Sequence, residues 1–94
     1  MKGLENFLNQ DEILSHIYRY ELDREEGRIF IDVHEILFPQ KNKFIATPTL
    51  LHSSRDSKYI GTGNSIEEAL RDCLKKIKGI PFDKIISRKD DMEE

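Results

Sequence analysis

Three histidines are spaced evenly along the chain, at His16, His34 and His52. Imidazole nitrogens are common zinc ligands, but a zinc site would need these side chains to converge with a carboxylate such as Asp32 or Glu35. The even spacing matches no ligand motif, and the residues around the histidines do not repeat. We therefore expect ordinary, half-exposed histidines, and the sequence predicts no metal site and no cofactor.

The other reactive groups do not form a catalytic pattern. Cys73 is the only cysteine, so the chain has no intrachain disulfide, which agrees with a reducing compartment. It falls on the apolar stripe of a predicted helix, where a buried thiol is inert. Asp32 and Glu35 lie on opposite faces of one predicted strand. No nucleophile elbow or paired-carboxylate motif is present, and the sequence predicts that the protein is not an enzyme.

The glycines of residues 61–63, Gly-Thr-Gly, precede a predicted helix. Glycines in this position can hold a phosphate against the backbone amides of a helix N-terminus. Here no third glycine and no Lys-Ser or Lys-Thr pair follows, and Glu67 and Glu68 occupy the place from which an anion would approach. The glycines are therefore expected to permit a tight turn from strand to helix.

The helix that follows has the clearest signal in the chain. Ser65 is its predicted N-cap, and Glu68 completes a capping box, in which each side chain accepts a hydrogen bond from the other's backbone amide. One apolar stripe repeats with the helical period; it contains Ile66, Ala69, Leu70, Cys73, Leu74 and Ile77. Gly79 is the expected stop. The sequence predicts a helix over residues 65–78.

Three segments ahead of this helix read as strands. Residues 28–38 alternate, with Ile29, Ile31 and Val33 on one face. Residues 43–52 form the next strand, and Pro48 within it favours an edge position or a bulge. Residues 57–61 are predicted as a short final strand.

The N-terminal part of the chain leaves two interpretations open. Residues 3–14 predict a short helix with one apolar face, and a break in it near Asn9 is left open. This helix could continue through residues 15–26 until Gly27 ends it. Alternatively, residues 16–23 alternate as a half-buried strand and turn back into strand 28–38. We favour the strand, because a helix ending on Glu25 and Glu26 would place acidic side chains at the negative end of its dipole.

The composition predicts one polar, globular domain. The chain has 94 residues, of which 37% are hydrophobic and 35% are charged. No apolar run approaches the ~18 residues that span a bilayer, and the N-terminus does not resemble a signal peptide, so we expect a cytoplasmic protein. The predicted fold is a single small α+β domain over residues 1–86, with an N-terminal helix, an antiparallel sheet of three or four strands, and helix 65–78 packed on one face. Residues 87–94 are expected to be a solvated, disordered tail.

Residues 61–74 resemble the C-terminal half of a double-stranded-RNA-binding domain, whose pattern is Gly-x-Gly-x-Ser-Lys-Lys-x-Ala-Lys. The glycines, the serine cap and Ala69 match that pattern. The three lysines that grip phosphate in the family are replaced here by Ile66, Glu67 and Leu70. The resemblance therefore implies a related fold that has lost its RNA-binding surface, and family members of that kind serve as protein-interaction modules.

Residues 63–70 also resemble the Gly-Asp-Thr-x-Glu-Glu-Ala-Leu segment of HicB-type antitoxins, whose sheet-and-helix domain binds a small toxin protein. The family's Pro-Asp-Leu-Pro-Gly-Cys segment is absent, because residues 49–53 read Thr-Leu-Leu-His-Ser. This resemblance implies that the partner is a small protein.

Together these patterns predict a non-catalytic domain that acts by protein–protein contact or self-association. The second face of the sheet is the predicted contact surface, because one helix is not expected to cover all of its apolar side chains, Phe30, Ile36, Phe44 and Leu50. The alternative is nucleic-acid binding through a basic patch of Lys75, Lys76 and Lys78. The net charge of −3 makes nucleic acid the lesser alternative, since phosphate neutralisation supplies most of the affinity of such proteins.

Overall fold

A computed structural model of the protein describes residues 3–49 and 57–85. Four strands form one antiparallel sheet in the order in which they occur along the chain; they are β1 (Leu14–Arg24), β2 (Gly27–Phe38), β3 (Lys43–Thr49) and β4 (Gly61–Gly63). Two helices follow the sheet, α1 (Ile66–Ile77) and the short α2 (Phe82–Ile85). The predicted α+β class is confirmed. The tail predicted over residues 87–94 lies outside the described residues.

The first two strands form a long hairpin. Leu22 pairs with Ile29 and Tyr18 with Val33, so the alternating side chains of both strands reach the same face. The strand interpretation of residues 16–23 is confirmed, and the strand extends beyond them at both ends.

The N-terminal helix predicted over residues 3–14 forms only in part. It is a 3-10 helix, Leu4–Phe7, which ends before Asn9 and contains no buried residue. Phe7 is 85% exposed, so the apolar side chains of this segment have little to pack against. A short helix is marginal in water without tertiary packing, and Leu14 joins β1 instead.

The core lies between one face of the sheet and the two helices. Its buried apolar side chains come from β2, β3, α1 and α2; they are Ile29, Ile31, Val33, Ala46, Ala69, Cys73, Ile77, Phe82 and Ile85. The three β2 residues alternate along the strand, as the sequence predicts. Helix α1 packs chiefly on β4 and β3 and less on β2, so it lies towards the β4 side of the sheet.

The last strand lies further along the chain than predicted. Residues Ser57–Tyr59 form a 3-10 turn and β4 begins only at Gly61, so strand 57–61 is wrong in position. The glycines are required by packing rather than by a turn. A Cβ atom on Gly61 would lie 2.3 Å from the Cys73 nitrogen, and one on Gly63 would lie 2.5 Å from the Glu68 Cβ atom. Neither glycine has a positive φ.

Helix α1 begins as predicted, with one change in its cap. The Ser65 Oγ atom accepts a hydrogen bond from the Glu68 amide at 3.1 Å. The Glu68 carboxylate accepts its bond from the Asn64 amide at 2.9 Å, one residue before the predicted donor. At the other end Gly79 adopts the left-handed conformation (φ 77°), which ends the helix.

Pro48 occupies the position that its missing amide hydrogen requires. It pairs with Ile31 on one side, while the pairing of β3 with β4 covers only residues 44–46. Proline is tolerated there, as the sequence predicts, because no β4 residue is aligned with it to receive an amide hydrogen.

Candidate protein-interaction face

The sheet face opposite the helices carries an apolar group of side chains. Ile17 and Ile45 lie on either side of His34 in one cross-strand row, and Ile36 is the next residue on the same face of β2. We call Ile17, Phe30, His34, Ile36 and Ile45 the open face. In residues 3–49 and 57–85 no helix packs over it, because α1 and α2 bury their apolar side chains on the opposite side.

The structure separates the four side chains that the sequence predicts as a contact surface. Phe30 and Ile36 belong to the open face. Phe44 pairs with Glu35 and packs against the core, so its assignment to the second face is corrected. Leu50 lies outside the described residues.

Ile17 and Ile45 are members of the open face that the sequence does not predict. Alternation shows that Ile45 and Ala46 point to opposite sides of β3, but it does not show which side meets the helices. A slip of one residue in the pairing exchanges the two faces of a strand, so only the register given by the structure assigns them.

A charged group borders the apolar part of the open face. Arg19 forms a bidentate ion pair with Asp32, with N–O distances of 2.7 and 2.9 Å, and its guanidinium group lies 4.6 Å from the centre of the Phe30 ring. Arg28 contacts Glu21 at 3.1 Å and Asp23 at 3.0 Å. One end of the face is therefore apolar, and the other carries paired charges of both signs.

His16 and His34 do not converge. His34 lies on the open face, whereas His16 pairs with Glu35 on the opposite face and stacks on the Tyr18 ring at 4.3 Å. His52 lies outside the described residues. No three His, Cys, Asp or Glu side chains cluster as metal ligands within the described ranges.

Asp32 and Glu35 are on opposite faces, as expected, and have separate partners. Asp32 pairs with Arg19, while the Glu35 carboxylate accepts a hydrogen bond of 2.7 Å from the Tyr18 hydroxyl. That hydrogen bond raises the pKa of Tyr18 above its ordinary value, because the neutral phenol is its donor. The two carboxylates do not share a site.

Cys73 lies in the core of α1 with no exposed surface. Burial raises the pKa of its thiol to about 11, because the thiolate would lose its hydration. A thiol in this environment is a poor nucleophile.

The three lysines of the predicted basic patch, Lys75, Lys76 and Lys78, do not form one surface. Lys75 and Lys78 line a shallow groove on α1 with Leu70 and Leu74. The Lys76 ammonium group turns away from them, towards the Asp72 carboxylate at 3.2 Å, and it also donates to the Ile60 carbonyl at 2.9 Å.

The amides around the Gly-Thr-Gly segment already have partners from the chain itself. The Thr62 amide donates to Asp72 at 3.0 Å, the Asn64 amide to Glu68, and the Glu68 amide to Ser65. These bonds occupy donors that an anion would need. The segment connects β4 to α1, and it does not offer these groups to a phosphate.

No protein-family model matches the chain, and no curated protein and no solved structure matches it. The resemblances to double-stranded-RNA-binding domains and to HicB-type antitoxins therefore stay predictions. Within the described ranges, no helix has the length and apolar character needed to cross a bilayer.

Proposed function

We propose that this domain is non-catalytic and acts by protein–protein contact or self-association, with the open face as its contact surface. The observation that carries this proposal is the grouping of Ile17, Ile36 and Ile45 around His34 on one face of the sheet. Ile17 is 51% exposed, and Ile36 and Ile45 are partly exposed. The solvated face of an antiparallel sheet is commonly polar. Grouped isoleucines on such a face are typical of a surface that another protein covers.

The charges of the open face also favour a protein partner over nucleic acid. Arg19 and Arg28 are each paired with carboxylates, so they add little net positive potential. Single-stranded nucleic acid stacks its bases on exposed aromatic rings, but Arg19 lies over the Phe30 ring. The basic alternative at Lys75, Lys76 and Lys78 is weakened because Lys76 is held by Asp72.

The family resemblances point in the same direction. The HicB-type pattern implies a small protein partner, and the loss of the phosphate-gripping lysines in the double-stranded-RNA-binding pattern implies protein contact. We propose a cytoplasmic protein as the partner.

Site-specific photo-crosslinking in the native cells tests this proposal. A photoreactive phenylalanine derivative replaces Ile45 on the open face or, as a matched control, Leu74 on the exposed side of α1. We expect discrete protein adducts from position 45 and few from position 74. Introducing Ile36→Lys beside the probe at position 45 should reduce the adducts at least about tenfold, since a charge in the centre of a protein contact is strongly unfavourable.

Mass spectrometry identifies each adduct, and circular dichroism verifies that the variants are folded. An adduct of twice the chain's mass would identify self-association, and one of another mass a different protein. Equal yields at the two positions, or no adduct at position 45, would contradict the proposal.

A further inference from the structure

Strand β1 is a long edge of the sheet that the described part of the chain leaves unpaired. It spans Leu14–Arg24, 11 residues, and among the described residues it pairs with β2 alone. The opposite edge, β4, has only 3 residues. Natural proteins protect an edge strand by making it short, by placing proline or charged side chains in it, or by a β-bulge. Strand β1 is long and contains no proline or lysine, and its irregularity lies at its start, between Leu14 and Ser15. Its charged side chains on the open face have both signs, because Arg19 lies beside Glu21, so the edge suits a strand whose charges are complementary.

Apolar side chains are exposed on both sides of this edge. Ile17 is exposed on the open face, and Tyr20 is 38% exposed on the side of the helices. Tyr20 is partly uncovered because α1 packs chiefly on β4 and β3 and less on β2. A strand added next to β1 would cover apolar surface on both sides of the sheet.

We infer that the occupant of this edge is a second copy of the chain, paired β1 to β1 in antiparallel order about a two-fold axis at Tyr20. In such a pairing, each residue faces the residue of the other copy that lies equally far from Tyr20 in the opposite direction. Arg19 of each copy then lies opposite Glu21 of the other, and the symmetry makes this contact twice. Tyr20 packs against its own copy, and Tyr18 against Leu22, on the side of the helices.

The charges select this register among those that keep the two faces aligned. An axis at Arg19 places that residue opposite itself, and an axis at Leu22 places Glu21 opposite Asp23. An axis at Glu21 joins Arg19 to Asp23 but also places Glu21 opposite itself, whereas the Tyr20 axis joins opposite charges without a like-charge contact. Like charges in directly opposed positions destabilise a sheet, whereas opposite charges stabilise it. An axis at Tyr18 removes the contact between opposite charges, because Arg19 then faces Ile17.

The Tyr20 register also continues the ion pairs within each chain. Arg19 already pairs with Asp32, and Glu21 already pairs with Arg28. Across the dimer these groups would form an alternating row, in which Arg19 lies between Asp32 of its own chain and Glu21 of the second copy. The two sheets become one sheet of eight strands, and the two open faces lie on the same side.

This inference goes beyond the proposed function, because the dimer forms through the β1 edge and not through the open face. The experiments on the two surfaces can therefore give opposite results. Loss of the dimer would leave crosslinking from Ile45 to another protein intact, and loss of that crosslinking would leave the dimer intact.

Sedimentation equilibrium of paired charge reversals tests the inference. Arg19→Glu places carboxylates opposite each other in both contacts, and Glu21→Arg places cations opposite each other. We expect the wild type to dimerise, and each variant alone to bind itself at least about tenfold more weakly. An equimolar mixture of the two variants should form a heterodimer, because both contacts again join opposite charges.

Arg71→Glu and Glu67→Arg are the matched controls, since they make the same charge changes on the exposed face of α1 and should dimerise like the wild type. Hydrogen exchange of the wild-type protein gives a second measurement that needs no variant: β1 amides should exchange more slowly as protein concentration rises, and β3 amides should not change. A monomeric wild type, self-association of both variants at wild-type strength, or a monomeric mixture would overturn the inference.

Discussion

At Gly61 the absence of a side chain decides how closely β4 approaches α1. The position where a Cβ atom would lie is 2.3 Å from the Cys73 nitrogen and 2.4 Å from the Ala69 oxygen, both of them backbone atoms that cannot move aside alone. The sequence predicts the connection from strand to helix correctly but gives a different reason for the glycine. A turn preference is local and can be predicted from sequence, whereas a close approach between two elements depends on tertiary packing.

Gly61→Ala is therefore expected to destabilise the domain by about 2–3 kcal/mol, the upper range for overpacking of a tight contact. The added methyl group must push β4 away from α1, which opens the core beside Cys73. Urea unfolding measures the free energy of unfolding. Thr62→Ala is the control, because that exposed side chain should change the value by no more than about 0.5 kcal/mol. Equal stabilities of the two variants would show that β4 does not lie against α1.

At the scale of elements, side chains at the tip of the β1–β2 hairpin bind the segment that contains helix α2. Arg24 donates to the Ile80 carbonyl at 2.6 Å and to the Ile77 carbonyl at 3.0 Å, and its guanidinium group lies 4.5 Å from the Phe82 ring centre. The Glu26 carboxylate accepts a hydrogen bond from the Phe82 amide. These contacts hold α2 against the core.

Arg24→Lys keeps the positive charge but removes the planar guanidinium group, whose two NH2 groups donate to two carbonyl oxygens at once. We expect a loss of about 1–2 kcal/mol in the free energy of unfolding, since hydrogen bonds to charged groups are worth somewhat more than neutral ones. The amides of Lys84 and Ile85 should exchange faster with solvent, while those of β3 keep their protection. Arg28→Lys, on the exposed side of the same hairpin, is the matched control. If both variants leave exchange in α2 unchanged, Arg24 does not hold that helix.

The elements differ in how well the sequence predicts them. Alternation predicts the hairpin strands, and the capping residues predict α1, because both signals lie within one element. Helix α2 has only 4 residues, which is too few to show the helical repeat of apolar residues. It is therefore identified only from the structure. The N-terminal helix forms only as the 3-10 helix Leu4–Phe7, because its apolar side chains, such as Phe7, meet little packing surface among the described residues.

At the scale of the whole molecule, the sequence predicts the fold class but not the composition of the open face. Two of its side chains, Phe30 and Ile36, follow from the alternation of β2. Phe44 was assigned to the wrong side, and Ile45 was missed, because the register of β3 against β2 decides which of its faces meets the helices. Register is set by long-range pairing, and a single strand does not encode it.

Isoleucine-methyl NMR of the folded domain tests the central claim, that the open face is the contact surface, most directly. The spectrum is recorded in buffer and then in a clarified extract of the native cells. We expect selective shifts or broadening of Ile17, Ile36 and Ile45, while the core methyl groups of Ile31 and Ile77 stay unchanged as internal controls. Uniform broadening of all isoleucines, or unchanged open-face signals in the extract, would contradict the account.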